Sequence, residues 1–404
     1  MAVALLVDLT RLVSRHGKGA LTGIDRVERA WLDHLLTLDD PLFALLRTRL
    51  GYLLLDRNGA GLVADLAHGR VAAGPNDLIG RLTRRDDPAR GRAEATLRRI
   101  ALARIAQPFL TRALRRHLGQ GGVYLNLGHT NLTARTLRGV AQAGLRPVVM
   151  VHDTIPLDHP RLSRAGIPAA FARKLRAVAD HATCVIHLTE ATRRTTEAQL
   201  SRLGRVPPAI VAPLGITPPR PDPAALPKGL PTERPYFVTL GTIEPRKNHA
   251  LLLDVWDGLA QGGGDIPHLF IIGNRGWADP ALLARLDAQP AGVTELRGLS
   301  DGAVAALVAG ARALLFPTLA EGYGLPPLEA AALGTPVVCT DLTVLRETLL
   351  DYPVYLDPSD SYAWMETIRA HADGSGGRNG KAGSDLPSWK DHFNAVLSRC
   401  RYLP

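Results

Sequence analysis

Residues 316–335 read FPTLAEGYGLPPLEAAALGT, and they predict a strand, a glycine-bearing turn and a helix in that order. The Pro326-Pro327 pair indicates the first turn of the helix, because proline is tolerated where backbone amides have no partner within the helix. Such amides, together with the positive end of the helix dipole, attract an anion. Gly322 and Gly324 let the backbone approach a ligand closely and adopt positive φ. The stretch therefore predicts a turn that binds an anion.

Two carboxylates flank this turn. Glu321 lies in the loop, and Glu329 lies in the helix that follows. Carboxylates accept hydrogen bonds from hydroxyl groups, whereas free amides bind phosphate. A turn that carries both kinds of group suits a sugar nucleotide, which presents a polyol and a phosphate together. The alternative is an ordinary acidic loop before an amphipathic helix.

The E-x7-E spacing of Glu321 and Glu329, with both glycines and the apolar strand, resembles the signature of retaining glycosyltransferases of family 4. That resemblance implies the GT-B fold, in which two Rossmann-like α/β domains face each other across a cleft. It also implies that Glu321 binds hydroxyls of the donor sugar and Glu329 binds the ribose. The residues between them that are expected to line the donor site are Gly322, Tyr323, Gly324 and Leu325.

A second motif lies in residues 241–248, GTIEPRKN, directly after a strand predicted over residues 236–240. At this strand-to-helix junction Arg246 supplies a bidentate fork and Lys247 a point charge, and both suit a diphosphate. The loop is similar to the one in family 4 in which an Arg and a Lys bind the donor diphosphate. The alternative is a surface ion pair. Two matched motifs in one half of the chain favour a donor site.

A glycine-bearing loop, residues 17–23, lies between a first strand predicted over residues 3–9 and a helix over residues 24–36. Loops at the carboxyl edge of a parallel sheet are where open α/β folds bind ligands. The resemblance implies that Thr22 and Gly23 face the donor phosphates, and a plain connecting loop is the alternative. By the same resemblance, the candidates for contact with the nucleotide base are Gly298 and Leu299.

His152 and Asp153 follow a predicted strand, residues 147–151, and so fall in the mouth of the same cleft. Histidine titrates near neutrality, and a neighbouring carboxylate can fix its tautomer. In the family that the chain resembles, a histidine of the first domain contacts the donor sugar, and His152 is the best match. The second choice is residues 128–131, GHTN. A capping or core histidine is the alternative.

The alternation of strands and helices predicts a parallel sheet in each half, with helices on both faces. We assign residues 1–215 to the acceptor-binding domain and the proline-rich residues 216–235 to the linker. Residues 236–385 form the donor-binding domain, with a flexible glycine-rich run at residues 373–385. By resemblance to GT-B enzymes, residues 386–404 are expected to form a helix that crosses back to the first domain.

Length and composition limit the kinds of protein that this chain can be. The chain has 404 residues, of which 46% are hydrophobic and 21% charged, values that fit two domains of ordinary size. Residues 1–10, MAVALLVDLT, predict a buried strand instead of a signal peptide, and no apolar run approaches the length of a membrane span. The three cysteines, which are far apart, favour neither disulfides nor a zinc site. We therefore expect a cytoplasmic protein.

Part of the chain is unusually basic. The formal net charge is +10, although an arginine-rich composition accounts for some of it. Between residues 81 and 117, arginines alternate with apolar residues at roughly helical spacing. A surface of this kind can lie on anionic lipid, so the protein is expected to be peripheral on the inner face of the cell membrane. A solvated helix face that covers the core is the alternative.

The resemblance implies a hexosyltransferase that moves a hexose from a nucleoside-diphosphate sugar to a hydroxyl acceptor with retention of configuration. No metal and no cofactor beyond the nucleotide sugar are expected. Charge builds on the departing diphosphate, and cations aimed at it are usually the largest catalytic contribution. The leaving phosphate is expected to help deprotonate the acceptor after front-side attack. The expected catalytic residues are His152, Arg246, Lys247 and Glu321.

Within family 4, the chain looks most like bacterial enzymes that build O-antigen and other surface polysaccharides, often mannosyl- or rhamnosyltransferases. GDP-mannose is the expected donor, and the expected acceptor is a lipid-linked or polysaccharide glycan. Nucleic acid is not expected as a partner. The rival hypothesis is a catalytically lapsed GT-B shell that binds membrane or nucleic acid through its basic surface. A phosphorylase or a nucleotide-sugar epimerase also fits the fold, although no lysine motif for pyridoxal phosphate is present.

Overall fold

The computed structural model describes residues 3–19, 21–217, 220–263, 265–376 and 386–403. Its strands form two sheets, one of eight strands within residues 5–211 and one of six strands within residues 236–356. Helices cover both sheets. This is the α/β architecture of two Rossmann-like halves that the sequence predicts.

The first sheet is built around the strand formed by Leu5–Asp8, which is buried on both faces. Its strands are β1 (Leu5–Asp8), β2 (Leu42–Thr48), β3 (Gly51–Leu55), β4 (Ala103–Ile105), β5 (Val123–Asn126), β6 (Arg146–Met150), β7 (Cys184–His187) and β8 (Ala209–Val211). The spatial order is β4-β3-β2-β1-β5-β6-β7-β8. From β2 to β8 all pairs are parallel. The order changes direction between β1 and β5, so their carboxyl ends open the crevice where folds of this kind bind ligands.

One edge of this sheet differs from the prediction. β3 pairs with β2 and with β4 in antiparallel register, so the expectation of a wholly parallel sheet is wrong here. β2 and β3 are joined by only two residues, and a connection that short requires antiparallel strands. At the turn Gly51 has φ +124, and an added Cβ would lie 2.1 Å from the carbonyl oxygen of Ile105 in β4. The sequence did not lead us to predict β2, β3 or β4.

The second sheet is parallel throughout. Its strands are β9 (Tyr236–Leu240), β10 (His268–Ile272), β11 (Val293–Leu296), β12 (Ala313–Phe316), β13 (Val337–Thr340) and β14 (Val354–Leu356). The spatial order is β11-β10-β9-β12-β13-β14. β9 and β12 are neighbours on either side of the point where the order reverses, so the loops that follow them lie side by side.

The helices lie between the strands in the order expected for βαβ units. In the first half they are α1 (Thr10–Ser14), α2 (Gly23–Thr37), α3 (Arg57–Ala67), α4 (Leu78–Thr83), α5 (Pro88–Ile100), α6 (Leu110–Leu118), α7 (Ala134–Gln142), α8 (Ile155–Asp158), α9 (Ile167–His181) and α10 (Glu190–Ser201). In the second half they are α11 (His249–Gln261), α12 (Pro280–Asp287), α13 (Asp301–Gly310), α14 (Leu325–Ala332), α15 (Thr343–Leu349), α16 (Ser361–Asp373) and α17 (Trp389–Arg401).

The last helix, α17, packs against the first half, as the sequence predicts. The indole Nε1 of Trp31 donates a hydrogen bond to Nε2 of His392 at 3.0 Å, and His392 Nδ1 donates to the carbonyl oxygen of Ala212 at 3.0 Å. Phe393 stacks on His34 with ring centroids 4.0 Å apart. Residues 377–385, most of the predicted flexible run, and residues 218–219 of the predicted linker lie outside the described part of the chain.

No helix within the described ranges combines the length and apolar character that crossing a bilayer requires.

Candidate active site

The two predicted motif loops meet at the carboxyl ends of β9 and β12. The Lys247 ammonium donates a hydrogen bond to Glu321 Oε2 at 2.6 Å, and the Arg246 guanidinium donates to the same oxygen at 2.9 Å. Arg246 also donates to Glu244 at 2.9 Å. The loops are joined through their backbones too, since the Leu319 amide donates to the Arg246 carbonyl oxygen at 2.8 Å. The structure thus brings the adjacent residues Arg246 and Lys247 together with Glu321, which lies 75 and 74 positions from them, in one cluster.

The charges of this cluster are strongly coupled. Burial would raise the pKa of Glu321, but the charges of Lys247 and Arg246 outweigh burial and hold that pKa at about 2. Burial lowers the pKa of Lys247, and Glu321 partly offsets this. The lysine Nζ also lies 4.4 Å from the ring centroid of Phe316. Both cations bind Glu321 Oε2. Among the described residues, the other oxygen, Oε1, accepts only a long hydrogen bond of 3.4 Å from the Gly322 amide. Oε1 is therefore the oxygen that can accept a hydrogen bond from a hydroxyl group.

The turn after Glu321 presents backbone donors. Gly324 caps α14 with φ +94, a left-handed conformation that favours glycine. Pro326 and Pro327 have no amide hydrogen, and the Leu328 amide donates to the Gly324 carbonyl oxygen at 3.3 Å. The amides available to an anion are therefore those of residues 323–325, at the positive end of the helix dipole.

The side chain of Tyr323 does not face this turn. It is buried, and its hydroxyl donates to the carbonyl oxygen of Leu214, in the first half of the chain, at 2.7 Å. Tyr323 was predicted to line the donor site, and in the structure only its backbone belongs to the turn that carries the prediction. Its side chain instead ties the turn to the segment that joins the two halves.

Glu329 is paired with a cation from across the cleft. The guanidinium of Arg26, in the first turns of α2, donates a hydrogen bond to Glu329 Oε1. The side chains of Arg26 and Glu329 are 38% and 15% exposed, so the pair remains open to solvent. The carboxylate predicted to bind the ribose is therefore held by an arginine that the sequence did not single out.

The glycine-bearing loop before α2 faces the same helix. An added Cβ on Gly23 would lie 3.3 Å from Cδ1 of Leu325, the first residue of α14. The Thr22 hydroxyl donates to Asp25 Oδ2 at 2.6 Å and accepts a hydrogen bond from Arg11 at 3.1 Å. The Thr22 amide also donates to Asp25 Oδ2 at 2.8 Å, as in the capping box that begins α2. Gly23 thus lies beside the donor turn, whereas the Thr22 side chain is engaged in capping its own helix.

Both histidines that the sequence singled out lie together at the edge of the first sheet. His152 is buried, and its Nε2 donates to the Leu127 carbonyl oxygen at 2.7 Å. Burial lowers its pKa to about 4, so the ring is neutral at pH 7. The ring of His129, from the second-choice segment, lies 5.1 Å away. The Leu127 carbonyl oxygen, and not the neighbouring carboxylate of Asp153, fixes the tautomer of His152. The Asp153 carboxylate lies instead beside Gly322 of the second half.

The predicted base-contact residues, Gly298 and Leu299, directly precede the start of α13. Gly298 has φ +68, and Ser300 caps α13 by accepting the Ala303 amide at 3.2 Å. The next residue, Asp301, lines a cavity of about 260 Å³ together with Arg26. Neither Gly298 nor Leu299 is among the described residues that line this cavity, so the structure does not bring the predicted base-contact residues to Arg26 and Glu329.

Sequence reasoning missed the residues that act across the cleft. Arg26 and Glu329 are 303 positions apart, and only the spatial arrangement pairs them. Glu244 stands inside the quoted GTIEPRKN motif, so its proximity to Arg246 was a usable signal.

Part of the chain is similar in sequence to known glycosyltransferases. The family model described as "Glycosyl transferases group 1" matches residues 226–373. The serotype-specific mannosyltransferase WbdA of Escherichia coli is 32% identical over 241 residues, which are 54% of this chain and 29% of WbdA. The O-antigen chain mannosyltransferase B of Escherichia coli is 36% identical over 138 residues, 34% of this chain and 35% of that protein. The chain thus spans under a third of the length of WbdA.

Among solved structures, Anabaena HepE, crystallised in complex with UDP-glucose, superposes with a TM-score of 0.63 at 14% identity and covers 98% of each chain. At this identity the likeness shows the fold alone, and the fold is GT-B, as the sequence predicts.

Proposed function

We propose that this chain, whose residues 226–373 match the family model of glycosyl transferases group 1, transfers a hexose from a nucleoside-diphosphate sugar to a hydroxyl group of a glycan. The observation that carries the proposal is the cluster of Arg246, Lys247 and Glu321 beside the free amides at the start of α14. Two cations and a helix N-terminus suit a diphosphate, and a carboxylate oxygen that remains free suits a sugar hydroxyl.

In the proposed reaction, the bond between the anomeric carbon and the diphosphate breaks, and negative charge collects on the departing oxygens. Arg246 and Lys247 are already held in place by Glu321, so they need little reorganisation to stabilise that charge. Glu321 Oε1 orients the sugar, and the neutral His152 lines the opposite side. We propose front-side attack by the acceptor, with retention of configuration and without a metal ion. A transfer assay with EDTA and NMR assignment of the product anomer tests both points.

We propose GDP-mannose as the donor and a lipid-linked or polysaccharide glycan as the acceptor. WbdA and the O-antigen chain mannosyltransferase B, the relatives named above, are mannosyltransferases by name. A thermal-shift panel of GDP, UDP and dTDP and their sugars tests the donor, because a ligand that binds only the folded state raises the melting temperature. The expected result is a clear shift with GDP and GDP-mannose that weakens in Glu329→Gln. No shift with any nucleotide would contradict a donor site.

We further propose that the chain works in the cytoplasm and contacts an anionic membrane surface through the arginine-rich segment. The predicted amphipathic helix is in fact divided among α4, α5, β4 and α6, and several of its arginines bind inward, such as Arg84 and Arg90 on Glu94. The arginines that stay exposed are Arg81, Arg85, Arg92, Arg99, Arg104, Arg112, Arg115 and Arg116. The exposed apolar side chains beside them are Leu78, Leu82, Ile100, Leu102 and Phe109. This combination suits an interfacial surface.

Vesicle sedimentation tests the membrane proposal. Binding is expected with vesicles that contain phosphatidylglycerol and not with pure phosphatidylcholine, and Phe109→Ser with Leu82→Ser is expected to weaken it. Equal binding to both vesicle types, or none, would contradict the proposal. A steep salt dependence of binding to single-stranded DNA would favour the nucleic-acid alternative instead.

A further inference from the structure

The cavity between the two halves has an apolar wall. The cavity holds about 260 Å³, and its described lining comes from the first half apart from Asp301. This volume is close to the lower end of the range for small-molecule sites, about 300 Å³. The apolar wall comes mostly from α1, α3 and α5 and includes Leu12, Val13, Val63, Leu66, Ala67 and Ala93. A ligand that fills the cavity therefore places apolar atoms against these helices.

The charged lining of the cavity is mainly basic. Its arginines are Arg15, Arg26 and Arg29, and Asp301 supplies the one carboxylate among the described lining residues. Arg15 and Arg26 are each paired with a carboxylate, the first on α2 and the second on α14. Arg29 has no such pair, so its charge makes the cavity attractive to an anion.

Arg29 is well placed to bind that anion. It lies on α2 three residues after Arg26, so both side chains project from the same face of the helix. Its guanidinium forms no hydrogen bond or ion pair with the part of the chain that the structure describes, and the residue is only partly exposed. A guanidinium that loses hydration without gaining a carboxylate is stabilised by an anionic ligand, and its planar fork matches phosphate. His16, also in the lining, offers a further N–H donor.

The cavity borders the surface that is proposed to contact the membrane. α5 supplies Ala93 to the apolar wall, and Arg92, the residue before it, is exposed. Burial lowers the pKa of His16, and the nearby charge of Arg92 lowers it further, while Asp87 opposes both. Arg92 thus connects the basic surface of α5 with the lining of the cavity. A lipid held on that surface lies next to the cavity.

We propose that this cavity binds a phosphate group that carries an apolar chain, which is the chemistry of a lipid-linked acceptor. The phosphate is bound by Arg29 and His16, and the first part of the chain packs on the apolar wall. Because Arg26 lines the cavity and also contacts Glu329, a sugar on that phosphate lies beside the donor turn. In naming the acceptor as the ligand, the inference rests on the proposed function.

The test is isothermal titration calorimetry with octyl phosphate, kept below the concentration at which it forms micelles. The comparison ligands are octyl β-glucoside, which has the chain without the charge, and inorganic phosphate, which has the charge without the chain. Wild type is expected to bind octyl phosphate at least tenfold more tightly than either, because buried methylenes and a charged hydrogen bond both contribute to affinity.

Three variants locate the probe in the cavity. Arg29→Gln is expected to weaken octyl phosphate binding about tenfold, and Arg29→Lys, which keeps the charge, is expected to recover part of it. Ala67→Phe fills space beside the apolar wall, so it is expected to weaken octyl phosphate binding and to leave inorganic phosphate unaffected. Arg194→Gln, which removes an exposed arginine of α10, is the matched control and is expected to keep wild-type affinity. The melting temperature of each variant shows whether it is folded.

The outcomes separate this inference from the proposed function. Lys247→Met is expected to keep octyl phosphate binding, and Arg29→Gln is expected to keep the thermal shift with GDP, because the donor cluster is a different site. If a folded Arg29→Gln protein binds octyl phosphate like wild type, or inorganic phosphate binds equally well, the inference is overturned and GDP binding still supports the donor site. Loss of binding only in Phe109→Ser with Leu82→Ser would place the probe on the membrane surface and overturn it too. If wild type binds octyl phosphate but no nucleotide, the cavity site stands and the proposed function fails.

Discussion

Replacing Lys247 with methionine removes one of the two cations that converge on Glu321 while keeping an unbranched chain against Phe316. The ammonium lies 2.6 Å from Glu321 Oε2, and the residue is 8% exposed, so its charge acts with little screening by water. Arg246 still pairs with the same oxygen at 2.9 Å, so Glu321 is not left as an unpaired buried charge. The substitution therefore tests the lysine charge more than the integrity of the cluster.

The expected loss of kcat in Lys247→Met follows from the proposed role of the lysine charge, which is to stabilise the departing diphosphate. Loss of one preorganised contact to a developing negative charge costs about 2.7 to 4 kcal/mol in the transition state, which is about 100- to 1,000-fold in kcat. Because Arg246 remains, we expect Lys247→Met to lie near the lower limit, about 100-fold. Lys247→Ala is expected to lose about as much. Stability is expected to fall by about 1 kcal/mol, or about 2–4 °C in melting temperature for a domain of this size.

The assay is steady-state release of GDP from GDP-mannose, with the melting temperature recorded for each variant. Lys390→Met, which removes an exposed lysine on α17, is the matched control and is expected to keep wild-type turnover. A folded Lys247→Met protein with kcat within about fivefold of wild type would refute the assignment of the lysine to the departing diphosphate.

Three further predictions concern contacts around the cleft. Arg26→Gln frees Glu329 for the ribose, so GDP is expected to bind about twofold to fivefold tighter by calorimetry, the worth of a solvent-exposed ion pair; weaker binding would mean that Arg26 itself holds the nucleotide. Tyr323→Phe leaves the Leu214 carbonyl oxygen without its 2.7 Å hydrogen bond, so urea unfolding is expected to show a loss of about 1–2 kcal/mol with GDP affinity unchanged. Burial lowers the pKa of His392 to about 4 from an ordinary 6.5, so the stability it contributes is complete above pH 6.5 and is lost as the pH falls towards 4. Wild type is therefore expected to lose about 2 kcal/mol more than His392→Gln between pH 7 and pH 5; equal losses would contradict a neutral buried ring.

Most of the fold was predictable because its signals are local. The amino-acid composition of residues 316–335 predicts a strand, a glycine turn and a helix. The same alternation of strands and helices recurs in both halves. The strands β2 and β3 escaped prediction because residues 42–46 and 52–55 are each a short, wholly apolar run, and β4 is only three residues long. Without alternation of polar and apolar residues, a buried strand pair cannot be told from a buried helix by periodicity.

The site was predictable to the extent that the second half carries two recognisable motifs, one after β9 and one after β12. Arg246, Lys247 and Glu321 could be named because strands that end at one edge bring their loops together. The sequence motif does not predict where a side chain points. Tyr323 is an example, because the residue belongs to the predicted donor turn but its ring is buried towards Leu214. Contacts between the halves, such as that of Arg26, depend on how two sheets face each other, which no local pattern encodes.

The two halves meet through polar contacts around the cleft and through a buried aromatic contact at α17. This difference affects how a donor can enter the cleft. Around the cleft they are polar: besides the Arg26 pair, the Glu347 carboxylate accepts the amides of Glu190 at 2.6 Å and Ala191 at 3.0 Å, at the positive end of α10. Such contacts are readily exchanged for water. The anchor of α17 on Trp31 is instead buried and aromatic, and opening it would expose apolar surface. The cleft is therefore expected to open at its carboxylates while α17 stays in place, so that an entering donor replaces a carboxylate contact instead of disrupting a core.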